Sequence, residues 1–141
     1  MNDLQHWRAR LTGVLKRCPV QFAYLFGSHV TGRAQKHSDV DIAIYPQKGL
    51  SPSQRFRLRL KVMGAVMDVL HEDRVDVIDL REAPLPLQFR AIQPAYLLFS
   101  RHEAERVRFE VATRSAYFDR LPLIQRSTAL ALARTAKEGL R

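Results

Sequence analysis

The sequence predicts an α/β (α+β) protein: a small β-sheet with flanking helices, running on into a helical C-terminal tail. Three observations carry this. Short runs rich in branched and aromatic residues, the composition strands favour, recur at 20–26, 40–45, 75–80 and 96–99. Between them, apolar residues return at steps of three and four, the period of a helix that buries one face. Residues 100 to 141 carry no strand pattern at all.

Composition narrows the class. The chain has 141 residues, of which 46% are hydrophobic, enough for one domain with a core of its own. Its longest apolar runs fall far short of a membrane span, and Met1-Asn2-Asp3 opens no signal peptide, so a cytoplasmic protein is expected. Cys18 is the one cysteine, which excludes an internal disulfide and an all-cysteine zinc site. The formal charge of +9 admits three kinds of partner: nucleic acid, an acidic protein or a polyanionic nucleotide. The arginines are scattered over helical segments and are not interleaved with aromatics, so solvated helix faces are expected and direct nucleic-acid binding is not.

Taken in order, residues 3–18 place Leu4, Trp7, Leu11, Val14, Leu15 and Cys18 on one helical face, with Asp3 as a cap. Cys18-Pro19 stops this helix, because a residue before proline avoids the helical region. Val20 to Phe26 follows as a strand, then a polar connection to Ser38, then a second strand from Val40 to Tyr45. Ser51 caps a helix with Pro52 at its first position. Phe56, Leu60, Met63, Met67 and Leu70 are expected to form its buried stripe, with Arg55, Arg57, Arg59 and Lys61 on the wet side. Val75 to Leu80 reads as a third strand, Leu87 to Ile92 as a short helix, and Tyr96 to Phe99 as a small edge strand. In the tail, Glu103 to Asp119 is expected to be helical, Leu121-Pro122 to break it, and Leu123 to Leu140 to form a second helix. This tail either lies back on the sheet or offers a partner a surface around Tyr117-Phe118.

The chemistry concentrates in one stretch. Gly27-Ser28 ends the first strand, and after ten intervening residues Asp39-Val40-Asp41 opens the second. Residues two apart on a strand share a face, so Asp39 and Asp41 would present adjacent carboxylates. Like charges so close raise each other's proton affinity, and a cation between them relieves this; an all-oxygen site suits Mg²⁺. The glycine admits a close approach to the backbone, and N–H groups beside the Ser28 hydroxyl can seat a phosphate. Metal-assisted transfer also calls for a third carboxylate, from Asp76 or Asp79; the two have opposite parity, so only one shares the active face.

Gly-Ser, ten residues, Asp-x-Asp resembles the signature of the DNA polymerase β-like nucleotidyltransferase superfamily. In a short chain it is most similar to a minimal nucleotidyltransferase (MNT) domain, the antitoxin of MNT/HEPN toxin–antitoxin pairs, over about residues 20–100. The resemblance implies a polymerase β-like core, a small mixed sheet with helices mainly on one face, and a single domain spanning 1–141 whose C-terminal helical extension occupies about 101–141. It selects Asp76 as the third carboxylate, leaving Asp79 to pair with Arg81 or cap the next turn. Asp39, Asp41 and Asp76 would then bind Mg²⁺, as two ions, and Gly27 and Ser28 would hold ATP. The implied reaction moves AMP from ATP to a tyrosine of a cognate HEPN-type ribonuclease toxin, blocking its RNA substrate. A small-molecule (aminoglycoside-type) nucleotidyltransferase is the alternative enzyme, although a basic chain disfavours a polycationic substrate. An antitoxin that neutralises by binding alone, and a nucleic-acid-binding module, are the non-enzymatic alternatives. The sequence departs from the family at Thr31, where an arginine is usual, and at Gln93-Pro94, where a glycine is usual. Arg33 and Lys36 read as surface charges, and His29 and His37 as solvated side chains.

Overall fold

A strand that is apolar on both faces must be covered on both faces, and the first strand dictates the layers. The computed structural model describes residues 3–34 and 38–139, so Lys36 and His37 lie outside the described residues. The elements are α1 (Asp3–Lys16), β1 (Val20–Phe26), α2 (Ser28–Thr31), β2 (Val40–Pro46), α3 (Pro52–Leu70), β3 (Val75–Asp79), α4 (Leu85–Ile92), β4 (Ala95–Ser100) and α5 (Glu103–Gly139). The strands form one mixed sheet in the order β3-β2-β1-β4, with β1 antiparallel to both neighbours and β2 parallel to β3. As expected, β4 is an edge strand.

β1 is buried at every position except Gln21, which is half-buried. Its Ala23 and Leu25 join Ile42, Ile44, Val77 and Leu98 in one core, roofed by Leu11 and Leu15 of α1 and by Leu58, Val62 and Val66 of α3. Phe22, Tyr24 and Phe26 face the other way, toward Ala43, Leu80, Ala91 and Ile92, with Phe109 of α5 against them. Phe22 stacks on Tyr45 with ring centroids 4.5 Å apart and tilts against Phe109 at 5.7 Å. The helices therefore cover both faces, α1 and α3 on one and α4 and α5 on the other, rather than mainly one. The reason is local: a near-continuous apolar strand leaves neither side fit for water.

α3 begins as expected. The Gln54 N–H donates to the Ser51 hydroxyl at 3.1 Å, the Ser51 N–H donates to the Gln54 side chain at 2.8 Å, and Pro52 occupies the first turn. Its buried stripe is different. Leu58, Val62 and Val66 are buried, whereas Phe56 is 57% and Leu60 50% exposed; Met63, Met67 and Leu70 are partly buried at the margin. The helix carries two apolar stripes, and the one set by residue size is not the one that fits the sheet. Polar contacts fix this rotation. Arg59 Nε donates to the Val77 carbonyl at 3.0 Å, and Arg55 Nε lies 3.1 Å from Asp79 Oδ2. These two cations lace α3 to β3 instead of forming a solvated face.

α5 is one helix of 37 residues with Pro122 inside it, so the expected break does not occur. Proline removes one hydrogen bond from the ladder, but alanine, leucine and arginine on either side are strong helix formers that carry it through. Its first half lies back on α4: Thr113 is buried, and Tyr117 stacks on Phe89 with centroids 3.9 Å apart. Leu123, Leu130 and Leu132 in its second half are exposed. Among the described residues, no helix is long and apolar enough to cross a membrane.

The rotation of α3 is open to test by urea unfolding. Leu58→Ala is expected to cost about 2–5 kcal/mol, and Phe56→Ser to stay within about 0.5 kcal/mol of the parent. The reverse order would restore the stripe through Phe56.

Candidate active site

Antiparallel and parallel pairings together bring the C-terminal end of β1 beside the N-terminal ends of β2 and β3. Asp41 is the register partner of Phe26 across one pairing and of Asp76 across the other. Adjacent strands lie about 4.8 Å apart and register partners share a face, so the Asp41 and Asp76 carboxylates stand side by side. Asp39 lies just ahead of β2, two residues before Asp41 and exposed, as Asp76 is; Asp41 is half-buried. The Asp41 carboxyl is pushed above the usual carboxylate range by burial first, then by the charges of Asp76 and Asp39. Arg90 and His29 act in the opposite direction.

Gly27 is fixed by that carboxylate. Its φ of 82° and ψ of −153° fall in a region almost reserved for glycine. A side chain there would also collide, since a Cβ would stand 2.4 Å from Asp41 Oδ2. The strand thus passes directly under the acid. Beyond it, Val30 and Thr31 N–H groups donate to the Gly27 carbonyl at 3.0 and 3.1 Å, winding Ser28–Thr31 into the single turn of α2. Ser28 opens that turn, where backbone N–H groups have no partner within the helix. His29 leans on Trp7 with ring centroids 5.2 Å apart, and its Nε2 lies 3.4 Å from the Ser38 carbonyl oxygen, donating in the Nε2–H tautomer. It ties α2 to the segment leading into Asp39 and is not a freely solvated side chain. Thr31 and Arg33 are exposed.

Asp79, the other candidate for third carboxylate, is committed elsewhere. It is 4% exposed; its Oδ1 accepts the Arg81 N–H at 2.8 Å, capping the turn after β3, and Arg55 pairs with its Oδ2. That ion pair is close in distance but outside hydrogen-bond angles, so it is chiefly a charge contact.

The donor set is all oxygen and carries surplus negative charge, which fits a hard divalent cation. Among the described residues, no three carboxylate, imidazole or thiol groups form a closed ligand cage. An open set of one or two carboxylates suits Mg²⁺, which retains water and takes substrate oxygens into its shell. Sequence reasoning missed Arg90. It lies on α4, about fifty residues from the Asp-x-Asp pair in the chain, and only the packing of α4 on β1 reveals it.

This arrangement is that of a nucleotidyltransferase. Residues 10–104 match the polymerase beta nucleotidyltransferase family, and the chain belongs to it. It is similar to protein adenylyltransferase MntA of Shewanella oneidensis strain MR-1, with 31% identity over 98 residues, covering 70% of this chain and 66% of the relative. The match thus spans slightly less than two thirds of that protein's length. Among solved structures, a toxin–antitoxin with AMP-PNP superposes with a TM-score of 0.64 at 27% identity, covering 86% of this chain and 98% of the other. The toxin–antitoxin MntA–HepT gives 0.61 at 25% identity, with 88% and 98% covered.

Two expectations follow from the geometry. Gly27→Ala combines backbone strain with a clash and is expected to lose about 1–3 kcal/mol, whereas Gly32→Ala, with φ of 78° but open space around it, suffers the strain alone. Equal losses in thermal unfolding would show that the contact with Asp41 is unimportant. The second concerns pH. A raised folded-state pKa means that ionised Asp41 destabilises the fold above that pKa, and that the penalty vanishes below the unfolded value. In metal-free buffer, Asp41→Asn is expected to melt higher than the parent at neutral pH and equally below about pH 4. A difference that does not change with pH would contradict it.

Proposed function

We propose that this chain is an Mg²⁺-dependent protein adenylyltransferase and antitoxin, transferring AMP from ATP to a tyrosine hydroxyl of a cognate HEPN-type toxin. The observation that carries the reading is the alignment of Asp41 with Asp76 directly over Gly27. Identity to a protein adenylyltransferase, and likeness to toxin–antitoxin structures of which one holds an ATP analogue, supply the donor, acceptor and partner class.

In this reading Asp39, Asp41 and Asp76 hold the metal, and Gly27 and Ser28 receive the triphosphate. Bound Mg²⁺, as two ions, would neutralise charge on the phosphates and the departing pyrophosphate. Asp76 accepts the proton of the attacking hydroxyl; its exposure on the open side of β3 leaves it accessible to an acceptor from another protein. The tyrosine oxygen forms a bond to the α-phosphorus as the bond to pyrophosphate breaks, so positioning and charge neutralisation do the work. The transferase unit is the whole chain, a core of about 20–100 with the helical extension 101–141, acting in the cytoplasm where ATP is supplied.

The test is intact-mass analysis of the co-encoded toxin after incubation with this protein, ATP and Mg²⁺. One or more AMP additions are expected. Asp39→Ala, Asp41→Ala and Asp76→Ala should each slow transfer roughly hundredfold or more. A tight complex without any mass gain would instead establish neutralisation by binding alone.

A further inference from the structure

Arg90, the cation of α4, differs from the arginines that lace the fold together. Arg55 pairs with Asp79, Arg59 and Arg81 donate to backbone carbonyls, and Arg106 pairs with Glu103 and Glu110. Among the described residues, the Arg90 guanidinium makes no ion pair or hydrogen bond; its one close neighbour is a ring. That ring is Phe26, whose centroid lies 5.9 Å from Arg90 Cζ. Phe26 precedes Gly27 and is the register partner of Asp41, so the exposed guanidinium hangs over the strand end on which the candidate site is built.

The geometry points to Arg90 as a residue that receives the phosphate tail of the donor nucleotide from the α4 side, opposite the Gly27-Ser28 seat. This rests on the nucleotidyltransferase reading above. A guanidinium near the Asp41 carboxylate that makes no ion pair among the described residues leaves its five donors to an incoming anion, and its planar fork matches phosphate oxygens in pairs. Its positive charge reaches Asp41 across a gap rather than through contact. A phosphate lying between a metal-binding carboxylate on one side and an arginine on the other would satisfy both. The Phe26 face beneath keeps the cation over the site, since guanidinium groups are attracted to aromatic faces.

The experiment is titration of the full chain, with Mg²⁺ present, against ATP and against adenosine, for the parent, Arg90→Ala and Arg90→Lys. Arg90→Ala is expected to weaken ATP binding about tenfold or more while adenosine stays within roughly twofold, and Arg90→Lys to recover part of the loss. Because Arg90 is exposed, unfolding temperatures should agree across the three proteins. Unchanged ATP affinity in Arg90→Ala would overturn this assignment while leaving the nucleotidyltransferase reading intact. Parallel losses for ATP and adenosine with a lowered unfolding temperature would make Arg90 merely structural. Failure of the parent to bind ATP would overturn both readings.

Discussion

The parallel register between β2 and β3 is the constraint on which the site depends. Asp41 and Asp76 share a face because Val40 meets Val75, and a slip of one residue would send Asp76 into the core beneath α3. Both ends of the pairing are pinned. At one end the Val40 N–H donates to the Arg74 carbonyl at 2.8 Å; at the other, the Leu80 N–H donates to the Ile44 carbonyl at 2.9 Å. Side chains add to this. Asp79 caps its own turn and meets Arg55, Arg59 reaches the Val77 carbonyl, and Gln88 donates to the Leu80 carbonyl at 2.7 Å. The two aspartates of β3 thus divide the labour: the buried one holds the strand in register and the exposed one is presented by it.

The charge balance of the chain makes sense in the same frame. A surplus of +9 coexists with an acidic site because many arginines are spent inside the fold, on carboxylates and on carbonyls at element ends. At long range a basic protein attracts a polyanion, while at short range the carboxylates repel its phosphates unless a cation intervenes. A nucleotide that arrives carrying Mg²⁺ meets both requirements.

Much of this was legible in the sequence because it depends on local rules. The Gly27-Ser28 and Asp39-x-Asp41 spacing, the Ser51-Pro52 cap, the four strands and the opposite faces of Asp76 and Asp79 all follow from parity, turn chemistry and family pattern. What was not legible depends on tertiary choices. α3 carries two apolar stripes at helical spacing, and only the sheet decides that Leu58, Val62 and Val66 go inside while Phe56 stays out. Cover on both faces follows from the apolar run of β1, but the central place of that strand between β2 and β4 is a tertiary outcome. Pro122 is tolerated in α5 because the residues around it sustain the helix, a balance that a rule about proline alone misjudges. Arg90 had no signal beyond being the one charge in a largely apolar stretch, Leu85–Ile92.

The placement of groups also separates what must be rigid from what must adapt. Asp41 and Asp76 lie on paired strands over a fully buried core, so their separation is set by the sheet and not by loop conformation. Ser28 and His29 lie on a single helical turn, and Asp39 just outside β2, so these groups have fewer backbone constraints. Gly27 joins the two regimes: the last residue before the turn, it is also the floor beneath the Asp41 carboxylate. A substitution there disturbs both the Asp41 carboxylate and the turn that follows, whereas a change at Ser28 is confined to the turn. The glycine is therefore the point at which the sheet's geometry is transmitted to the turn that carries Ser28 and His29.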